Sequence, residues 1–468
     1  MEKHDMLDLT ARELLKLFRT RSLSPVEYAR HLVAHIARWE PALGALYLYD
    51  PDRLLSEAAQ SEARWMAGTP AGMLDGVPVT VKELIATRGD PIPQGSAASP
   101  LVPAPADAPI AARLKEAGAI IFAKTTVPDF GMLSSGLSTF HRLARNPWNL
   151  ACNPGGSSAG ASAAAAAGYG PLHVGTDIGG SVRLPAAWCG LVGFKPSLGR
   201  IPVDPYYIGR CAGPMTRTVD DAALMMPVLA LPDARDATSL PPEAIDWDGY
   251  YRGMRLRGLR IGLQLEPGCG LPLDAEIRAA VTAAAERLAE LGAEIVPVPP
   301  VMTQDMLSGL DDYWTARSWA ELRKLPEDRM DKVLPFIRDW ASRGKNIDGV
   351  RAVDGLGQTF AMRRACAALF ESVDAVLSPT TPVVSFPAEF PGPTNDPDRS
   401  FDHIVYTVPW NMSEQPAVSI NCGFSSDGMP IGLQIVTPRF ADLDALRLAS
   451  VCETARGPIT SWPAPPAA

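Results

Sequence analysis

The chain has 468 residues, of which 47% are hydrophobic and 20% are charged, a composition typical of a soluble globular protein that excludes a disordered or fibrous chain. The 43 basic and 52 acidic residues give a formal net charge of −9. No cluster of basic residues is present that would neutralise a run of phosphates, so no nucleic-acid partner is expected. The longest apolar runs are shorter than the roughly 20 residues of a membrane-spanning helix, so no membrane association is expected either.

The cysteines and the N-terminus indicate a cellular compartment. Seven cysteines are scattered along the chain without the C-x-x-C spacing of zinc or redox sites, and we interpret them as buried thiols in a reducing environment. The N-terminal residues Met1–Asp5 are charged and no apolar signal-peptide segment follows them. These features predict a cytoplasmic protein.

His31 and His35 have a helical i, i+4 spacing, which is one that metal-binding histidines use. No third ligand accompanies them, so no metal is expected.

Two capping boxes mark the first helices. Thr10 is followed by Glu13, and Ser24 by Pro25 and Glu27, and apolar residues recur after each at helical spacing. The sequence therefore predicts two N-terminal helices within about residues 8–40.

Strands and helices alternate after this segment. Short β-rich runs at Gly76–Val81 and Ala119–Lys124 flank a helical stretch at about 109–117. Further along, an amphipathic helix from Asp274 to Leu291 separates two predicted strands. This alternation indicates an α/β fold whose sheet contains parallel strands with helical crossovers.

The C-terminal part divides into a helical segment and a set of strands. Residues 302–370 are predicted to be helical and contain Trp314, Trp319 and Trp340. Tryptophans in such a segment are more typical of a core or an interface than of a substrate wall. Three strands and a closing helix are predicted after it, at 375–378, 417–420, 432–436 and 443–454.

Two Gly/Ser-rich turns and one isolated lysine are the candidate chemical groups. Ser157 lies in the sequence GGSSAG, Ser181 lies 24 residues later in GTDIGGSVR, and Lys82 lies 75 residues before Ser157. Neither turn fits a phosphate-binding motif, and no G-x-S-x-G elbow is present. Glycines beside a serine let backbone N–H groups converge on one point, as an oxyanion hole requires.

The two turns resemble the signature of the amidase signature family. The similarity continues through RLPAAWCGLVGFKPSLGR after the second turn, and includes DGVPVTVKE around Lys82 and GMPIGLQ near the C-terminus. It extends from about residue 8 to 455. The resemblance implies one domain over residues 1–468, with a single large mixed β-sheet covered by helices on both faces. Its signature core would lie at about 70–230, and a variable helical pocket segment at about 302–370.

The resemblance also implies a mechanism. It makes Ser181 the nucleophile, Ser157 a bridging serine after a cis peptide bond, and Lys82 the base. A serine hydroxyl needs a base to take its proton, and a lysine acts as a base only when it is neutral, so burial must lower its pKa. No metal or organic cofactor is needed. The implied oxyanion hole and supporting residues are Ile178, Gly179, Gly180 and Ser181, and Thr176, Asp177 and Arg183.

Other interpretations of these residues stay open in the sequence. Lys82 is followed by Glu83, and the two would pair on the surface if the lysine were an ordinary solvated charge. Asp177 and Arg183 are expected to form a structural pair that orients the turn before Ser181. His141 and His173 lie near the signature and are candidates for the pocket lining, although the implied mechanism needs no histidine.

The sequence departs from the family pattern where relatives differ in substrate binding. Many relatives carry Thr-Glu-Asn soon after the segment that matches 130–132, whereas this chain reads SSGLST and lacks the acid. Glu414 replaces a common glycine. We expect segments 199–212 and 302–345 to form a lid or pocket wall. The residues expected to contact substrate are Met132, Leu137, Tyr206 and Tyr207.

This lining predicts hydrolysis of neutral aryl or alkyl amides and esters, and also of carbamates (urethanes). Two alternatives remain: the amidase subunit of a glutamine-dependent tRNA amidotransferase, and a non-catalytic scaffold, which the intact catalytic positions disfavour. The expected partner is a small-molecule substrate, and a homodimer is an open alternative to a monomer.

Overall fold

The computed structural model of the protein describes residues 6–252 and 254–466. The charged N-terminal residues 1–5 therefore lie outside the described residues. Within the described ranges, eleven strands form one mixed sheet in the order β1-β3-β2-β4-β6-β5-β10-β11-β9-β7-β8. In chain order the strands are β1 Leu46–Tyr47, β2 Pro78–Lys82, β3 Ile120–Thr125, β4 Leu172–Asp177, β5 Val192–Lys195, β6 Cys211–Thr216, β7 Arg260–Leu263, β8 Glu294–Pro297, β9 Ala375–Pro379, β10 Ala417–Phe424 and β11 Pro430–Val436.

Fourteen α-helices accompany the sheet in the described part of the chain. They are α1 Ala11–Thr20, α2 Pro25–Leu43, α3 Pro51–Ala67, α4 Pro109–Glu116, α5 Ala159–Ala167, α6 Arg183–Cys189, α7 Val219–Leu229, α8 Ala275–Glu290, α9 Gln304–Leu322, α10 Glu327–Met330, α11 Pro335–Ser342, α12 Gly349–Leu369, α13 Pro409–Met412 and α14 Asp442–Arg456. Both predicted capping boxes are present, at Thr10 with Glu13 and at Ser24 with Glu27. The two predicted N-terminal helices are therefore confirmed, with boundaries set by these caps.

The sheet is covered by helices on both faces. Neighbouring residues of a strand point to opposite faces, and in β9 Leu377 joins an apolar cluster with residues of α7, α8 and α14. The adjacent Val376 joins a different cluster, with Cys366 of α12 and Trp410 of α13. The predicted α/β class with one large mixed sheet is confirmed.

Parallel pairing is concentrated in two parts of the sheet. β2 runs parallel to both β3 and β4, and β7 runs parallel to both β8 and β9. The remaining neighbours are antiparallel. Parallel strands place their carboxyl ends at the same edge, so the segments that follow β2 and β4 meet there.

Two further sequence expectations concern the whole chain. All seven cysteines are free thiols; five are buried, whereas Cys152 and Cys269 are partly exposed. Among the described residues, no helix combines the length and the apolar character needed to cross a bilayer.

Candidate active site

The edge where β2 and β4 end brings the three predicted catalytic residues together. Lys82 is the last residue of β2, and Ser181 follows the end of β4 by four residues. Ser157 lies in the turn that precedes α5. Its Oγ is hydrogen-bonded to the Nζ of Lys82 at 2.8 Å, and both serines line the same cavity. The sheet topology therefore assembles residues that are far apart in the sequence.

Lys82 is completely buried. Besides Ser157, its Nζ contacts the backbone oxygen of Thr176 at 3.3 Å. Burial holds the pKa of Lys82 well below its ordinary value, and the positive charge of Arg210 lowers it further. The negative charges of Asp177 and Glu83 act in the opposite direction and are outweighed. The lysine thus has the environment that a neutral amine base requires.

Glu83 does not form a surface pair with this lysine. Its buried carboxylate accepts hydrogen bonds from the backbone N–H groups of Gln94 and Gly95, at 2.9 and 2.7 Å. It is also bonded to Nε2 of His141 at 2.9 Å. Because Lys82 and Glu83 are both fully buried, the interpretation of Lys82 as a solvated surface charge is wrong.

The two histidines near the signature lie away from the cavity. His141 is held by Glu83, and His173 is buried with its Nδ1 bonded to the hydroxyl of Thr80 at 2.8 Å. Burial lowers the pKa of His173 to about 4. Neither histidine belongs to the described lining of the cavity.

The turn that carries Ser157 packs tightly against its surroundings. The peptide bond between Gly156 and Ser157 is cis. A Cβ added at Gly160, in the first turn of α5, would lie 2.2 Å from the backbone oxygen of Ala45 and 2.4 Å from the backbone nitrogen of Thr126. Because the backbone of Gly160 lies so close to Ala45 and Thr126, only glycine fits at this position. This close contact explains the small residue in the motif.

A buried ion pair organises the turn that carries Ser181. The carboxylate of Asp177 accepts hydrogen bonds from the backbone N–H groups of Gly180 and Val182, at 2.8 and 3.1 Å. Arg183 donates to both oxygens of the same carboxylate, at 3.0 and 2.9 Å. Burial alone would raise the pKa of Asp177, but the Arg183 charge and its hydrogen bonds outweigh burial and hold the pKa below the ordinary range.

The C-terminal half of the chain fixes the guanidinium of Arg183. It donates to the backbone oxygen of Thr407 at 2.9 Å, to the side-chain oxygen of Asn411 at 2.6 Å and to that of Gln434 at 2.7 Å. Thr407 also donates from its hydroxyl to the backbone oxygen of Gly179 at 2.6 Å. The Ser181 turn is therefore held between its own ion pair and three residues that follow β9.

The predicted oxyanion hole needs one correction. The N–H of Gly180 already donates to Asp177, so it is not available to an oxyanion, and its inclusion in the predicted set was wrong. Within the described residues, no hydrogen bond engages the N–H groups of Ile178, Gly179 or Ser181. These three remain as predicted donors.

The cavity beside the two serines has a volume of about 360 Å³, within the size range of small-molecule sites. Its wall is mostly apolar and aromatic. The apolar lining consists of Leu84, Ala86, Ile92, Phe130, Met132, Leu133, Ile178, Trp314, Trp340, Phe401 and Ile404. Segments 199–212 and 302–345, predicted as pocket wall, both contribute residues to it.

The predicted substrate-contacting residues divide into two groups. Met132 and Tyr207 line the cavity, whereas Leu137 and Tyr206 do not. Leu137 packs against an apolar cluster instead, and Tyr206 lies outside the lining although it is exposed to about the same extent as Tyr207. The placement of Leu137 and Tyr206 in the pocket therefore has to be corrected.

The tryptophans of the helical segment also divide. Trp314 and Trp340 line the cavity and pack edge-on against Phe401, with ring centres 5.0 and 5.5 Å apart. Trp319 packs under the ammonium of Lys345 instead, 4.6 Å from ring centre to Nζ. Two of the three tryptophans therefore belong both to the core and to the cavity wall.

Sequence reasoning missed three charged residues of the wall, the acid Asp204 and the arginines Arg210 and Arg317. All three lie within the segments predicted as pocket wall. The chain has 34 arginines, and no motif or spacing distinguishes these two from the rest.

Comparison with known proteins agrees with this architecture. The family model described as Amidase matches residues 27–446. A glutamyl-tRNA(Gln) amidotransferase subunit from Symbiobacterium thermophilum is 34% identical over 94% of this chain and 95% of its own. An acylamidase from Rhodococcus erythropolis is 31% identical over 97% of each chain.

A solved structure of a bacterial aryl acylamidase superposes with a TM-score of 0.87 at 30% identity, covering 96% of both chains. A 6-aminohexanoate cyclic dimer hydrolase superposes with a TM-score of 0.86 at 26% identity, over 98% of this chain and 99% of its own. Because the family match spans most of the sequence and the fold agrees throughout, this chain belongs to the amidase signature family.

Proposed function

We propose that this protein hydrolyses the C–N bond of amides through an acyl-enzyme on Ser181. The observation that carries the proposal is the contact between the buried Lys82 and Ser157, with the Nζ 2.8 Å from the hydroxyl oxygen. Ser157 in turn lines one cavity together with Ser181. This arrangement supports the mechanism that the sequence motifs imply.

In the proposed reaction, the Oγ of Ser181 attacks the substrate carbonyl while its proton passes through Ser157 to neutral Lys82. The N–H groups of Ile178, Gly179 and Ser181 stabilise the oxyanion of the tetrahedral intermediate. One such donor typically contributes about 10²- to 10³-fold to the rate. Lys82 then returns the proton through Ser157 to the leaving amine, and water hydrolyses the acyl-enzyme.

The apolar wall supports substrates with an aryl or alkyl group. Trp314, Trp340 and Phe401 offer aromatic faces, and Met132 adds an adaptable side chain. Esters and carbamates present a carbonyl to the same donors, so we include both as substrates. A carbamoyl-enzyme should deacylate more slowly, because the nitrogen lone pair reduces the electrophilicity of its carbonyl.

A second candidate function is the amidase component of a glutamine-dependent tRNA amidotransferase. The names of several relatives, at 33% to 34% identity, favour it. Such a component would pass ammonia to a partner and would be specific for glutamine. The predominantly apolar cavity favours the free-standing hydrolase instead.

Activity of the purified chain alone distinguishes the two candidates. We expect it to release nitroaniline from an acyl 4-nitroanilide, and to release ammonia from glutamine more slowly. The Ser181→Ala variant is the control for contaminating hydrolases. Turnover of glutamine in preference to the anilide, or activity only in the presence of a partner protein, would favour the amidotransferase.

A further inference from the structure

Two arginines share one tyrosine in the cavity wall. The guanidinium carbon of Arg210 lies 5.6 Å from the ring centre of Tyr207, and that of Arg317 lies 4.7 Å from the same centre. All three side chains line the cavity that contains Ser157 and Ser181. The tyrosine ring positions the two guanidinium groups by cation–π contact while leaving their N–H donors available for other partners.

These positive charges lack a counter-charge in direct contact. Arg210 is 8% exposed, and its Nη1 donates to the backbone oxygen of Pro205. Within the described residues, no ion pair joins Arg210 or Arg317 to a carboxylate. Burial lowers the pKa of Arg210, and the positive charge of Arg317 lowers it further. Arg210 is buried and Arg317 is partly exposed, and a buried cation without a counter-charge is costly unless an anion joins it.

The acids whose negative charge acts on these arginines have other positions or partners. Asp204 lines the cavity but is exposed to solvent. Asp236 accepts hydrogen bonds from the backbone N–H groups of Val203 and Thr238. Glu321, the acid that acts on Arg317, is paired with Lys324 at 3.0 Å. Of these three acids only Asp204 lines the cavity together with the two arginines, and within the described residues no hydrogen bond or ion pair joins it to either of them.

From this arrangement we propose that Arg210 and Arg317 form an anion subsite that selects substrates bearing a carboxylate in addition to the scissile bond. Guanidinium groups bind carboxylates through short, charge-assisted hydrogen bonds. The apolar wall would hold the aryl or alkyl part of the substrate, between its carboxylate and its scissile bond. The inference rests on the proposed amide hydrolysis and replaces the sequence-based expectation of a neutral substrate.

Substrates matched in length test the proposal. The first set comprises the 4-nitroanilides of hexanoic acid, of adipic acid with one free carboxylate, and of 6-aminohexanoic acid, which are neutral, anionic and cationic. The second pair places the carboxylate on the leaving side, as N-hexanoyl-4-aminobenzoate against hexanoyl anilide. We expect kcat/KM for the carboxylate compound of at least one set to exceed that of its neutral counterpart by about tenfold or more.

Variants then assign the preference to the arginines. Arg317→Gln should lower the ratio of kcat/KM for the carboxylate compound to kcat/KM for its neutral counterpart by about tenfold. Arg317→Lys should retain part of the carboxylate preference, since the charge remains. The matched control is Arg323→Gln, because Arg323 is exposed, follows α9 directly and is not part of the cavity. It should leave the ratio unchanged. The preference of the wild-type protein should also decrease as salt is added.

The outcomes separate this inference from the proposed function. Equal kcat/KM values within both sets, a preference for the cationic compound, or a carboxylate preference unchanged in Arg317→Gln would each overturn the anion subsite. Absence of turnover on every compound would instead overturn the hydrolase proposal. The subsite is then tested by isothermal titration calorimetry of the same compounds with the Ser181→Ala protein, where tighter binding of a carboxylate compound than of its neutral counterpart is expected and equal binding contradicts the subsite.

Discussion

Replacement of Lys82 by methionine tests whether this lysine is neutral in the folded protein. Methionine has a similar length but no amine, so Lys82→Met removes the proton-binding group and keeps most of the packing. Burial lowers the pKa of Lys82 well below its ordinary value, whereas in the unfolded chain it should return to about 10.4. Between these two pKa values the unfolded chain binds one more proton than the folded protein.

That difference of one proton sets both the sign and the size of the effect. The free energy of unfolding of the wild-type protein should rise by about 1.4 kcal/mol per pH unit through this window, relative to the variant, and level off above about pH 10.4. Below the folded-state pKa, the lysine is protonated in both the folded and the unfolded state. The difference in free energy of unfolding between the wild-type protein and the variant should then be constant. The variant also loses the base, so we expect kcat to fall by at least about 10³.

Urea unfolding followed by tryptophan fluorescence, at closely spaced pH values from about 6 to about 10, measures this slope once reversibility has been checked. Lys16→Met is the control, because Lys16 is exposed on α1 and its loss should give no such slope. A constant difference between wild type and Lys82→Met over the whole range would show that the lysine keeps its charge in the folded protein. The proposed base would then be refuted.

Three further variants test separate parts of the site. Ser181→Ala should lower kcat by a factor of at least about 10³ without changing the urea midpoint of unfolding. Substantial residual hydrolysis by this variant would exclude Ser181 as the nucleophile. Arg210→Gln removes a positive charge that lowers the pKa of Lys82. The rise of kcat/KM with pH, measured on hexanoyl 4-nitroanilide, should therefore move to higher pH. An unchanged pH profile would contradict the electrostatic coupling between Arg210 and Lys82. Gly160→Ala places a Cβ 2.2 Å from the backbone oxygen of Ala45 and should lower stability by about 1–3 kcal/mol or more; an unchanged urea midpoint would show that this contact relaxes without cost.

Sequence alone was most informative where motif residues are close together along the chain. The turns around Ser157 and Ser181 are nearly continuous motifs, and the capping boxes at Thr10 and Ser24 are local patterns with a direct geometric meaning. Alternation of strands and helices similarly identified the class of the fold. Each of these inferences depends on neighbouring residues, which a sequence displays directly.

The residues of the cavity wall were harder to predict, because the sequence does not show which way a side chain points in the folded protein. Tyr206 and Tyr207 are adjacent, yet only Tyr207 lines the cavity, and no local pattern specifies which of two loop residues points inward. Arg210 and Arg317 come from a loop and from α9, and they meet only through packing on Tyr207. Gly180 looked like an oxyanion donor in the sequence, but its N–H is used by the carboxylate of Asp177.

The partners of Arg183 have a consequence for how the enzyme is made. Thr407, Asn411 and Gln434 lie 224, 228 and 251 residues after Arg183. During synthesis, Lys82 and both serines leave the ribosome long before the groups that hold the Ser181 turn in place. We therefore expect the nascent chain to be inactive until its last strands have emerged. A polypeptide released early would contain every proposed catalytic side chain, and we expect it to lack activity.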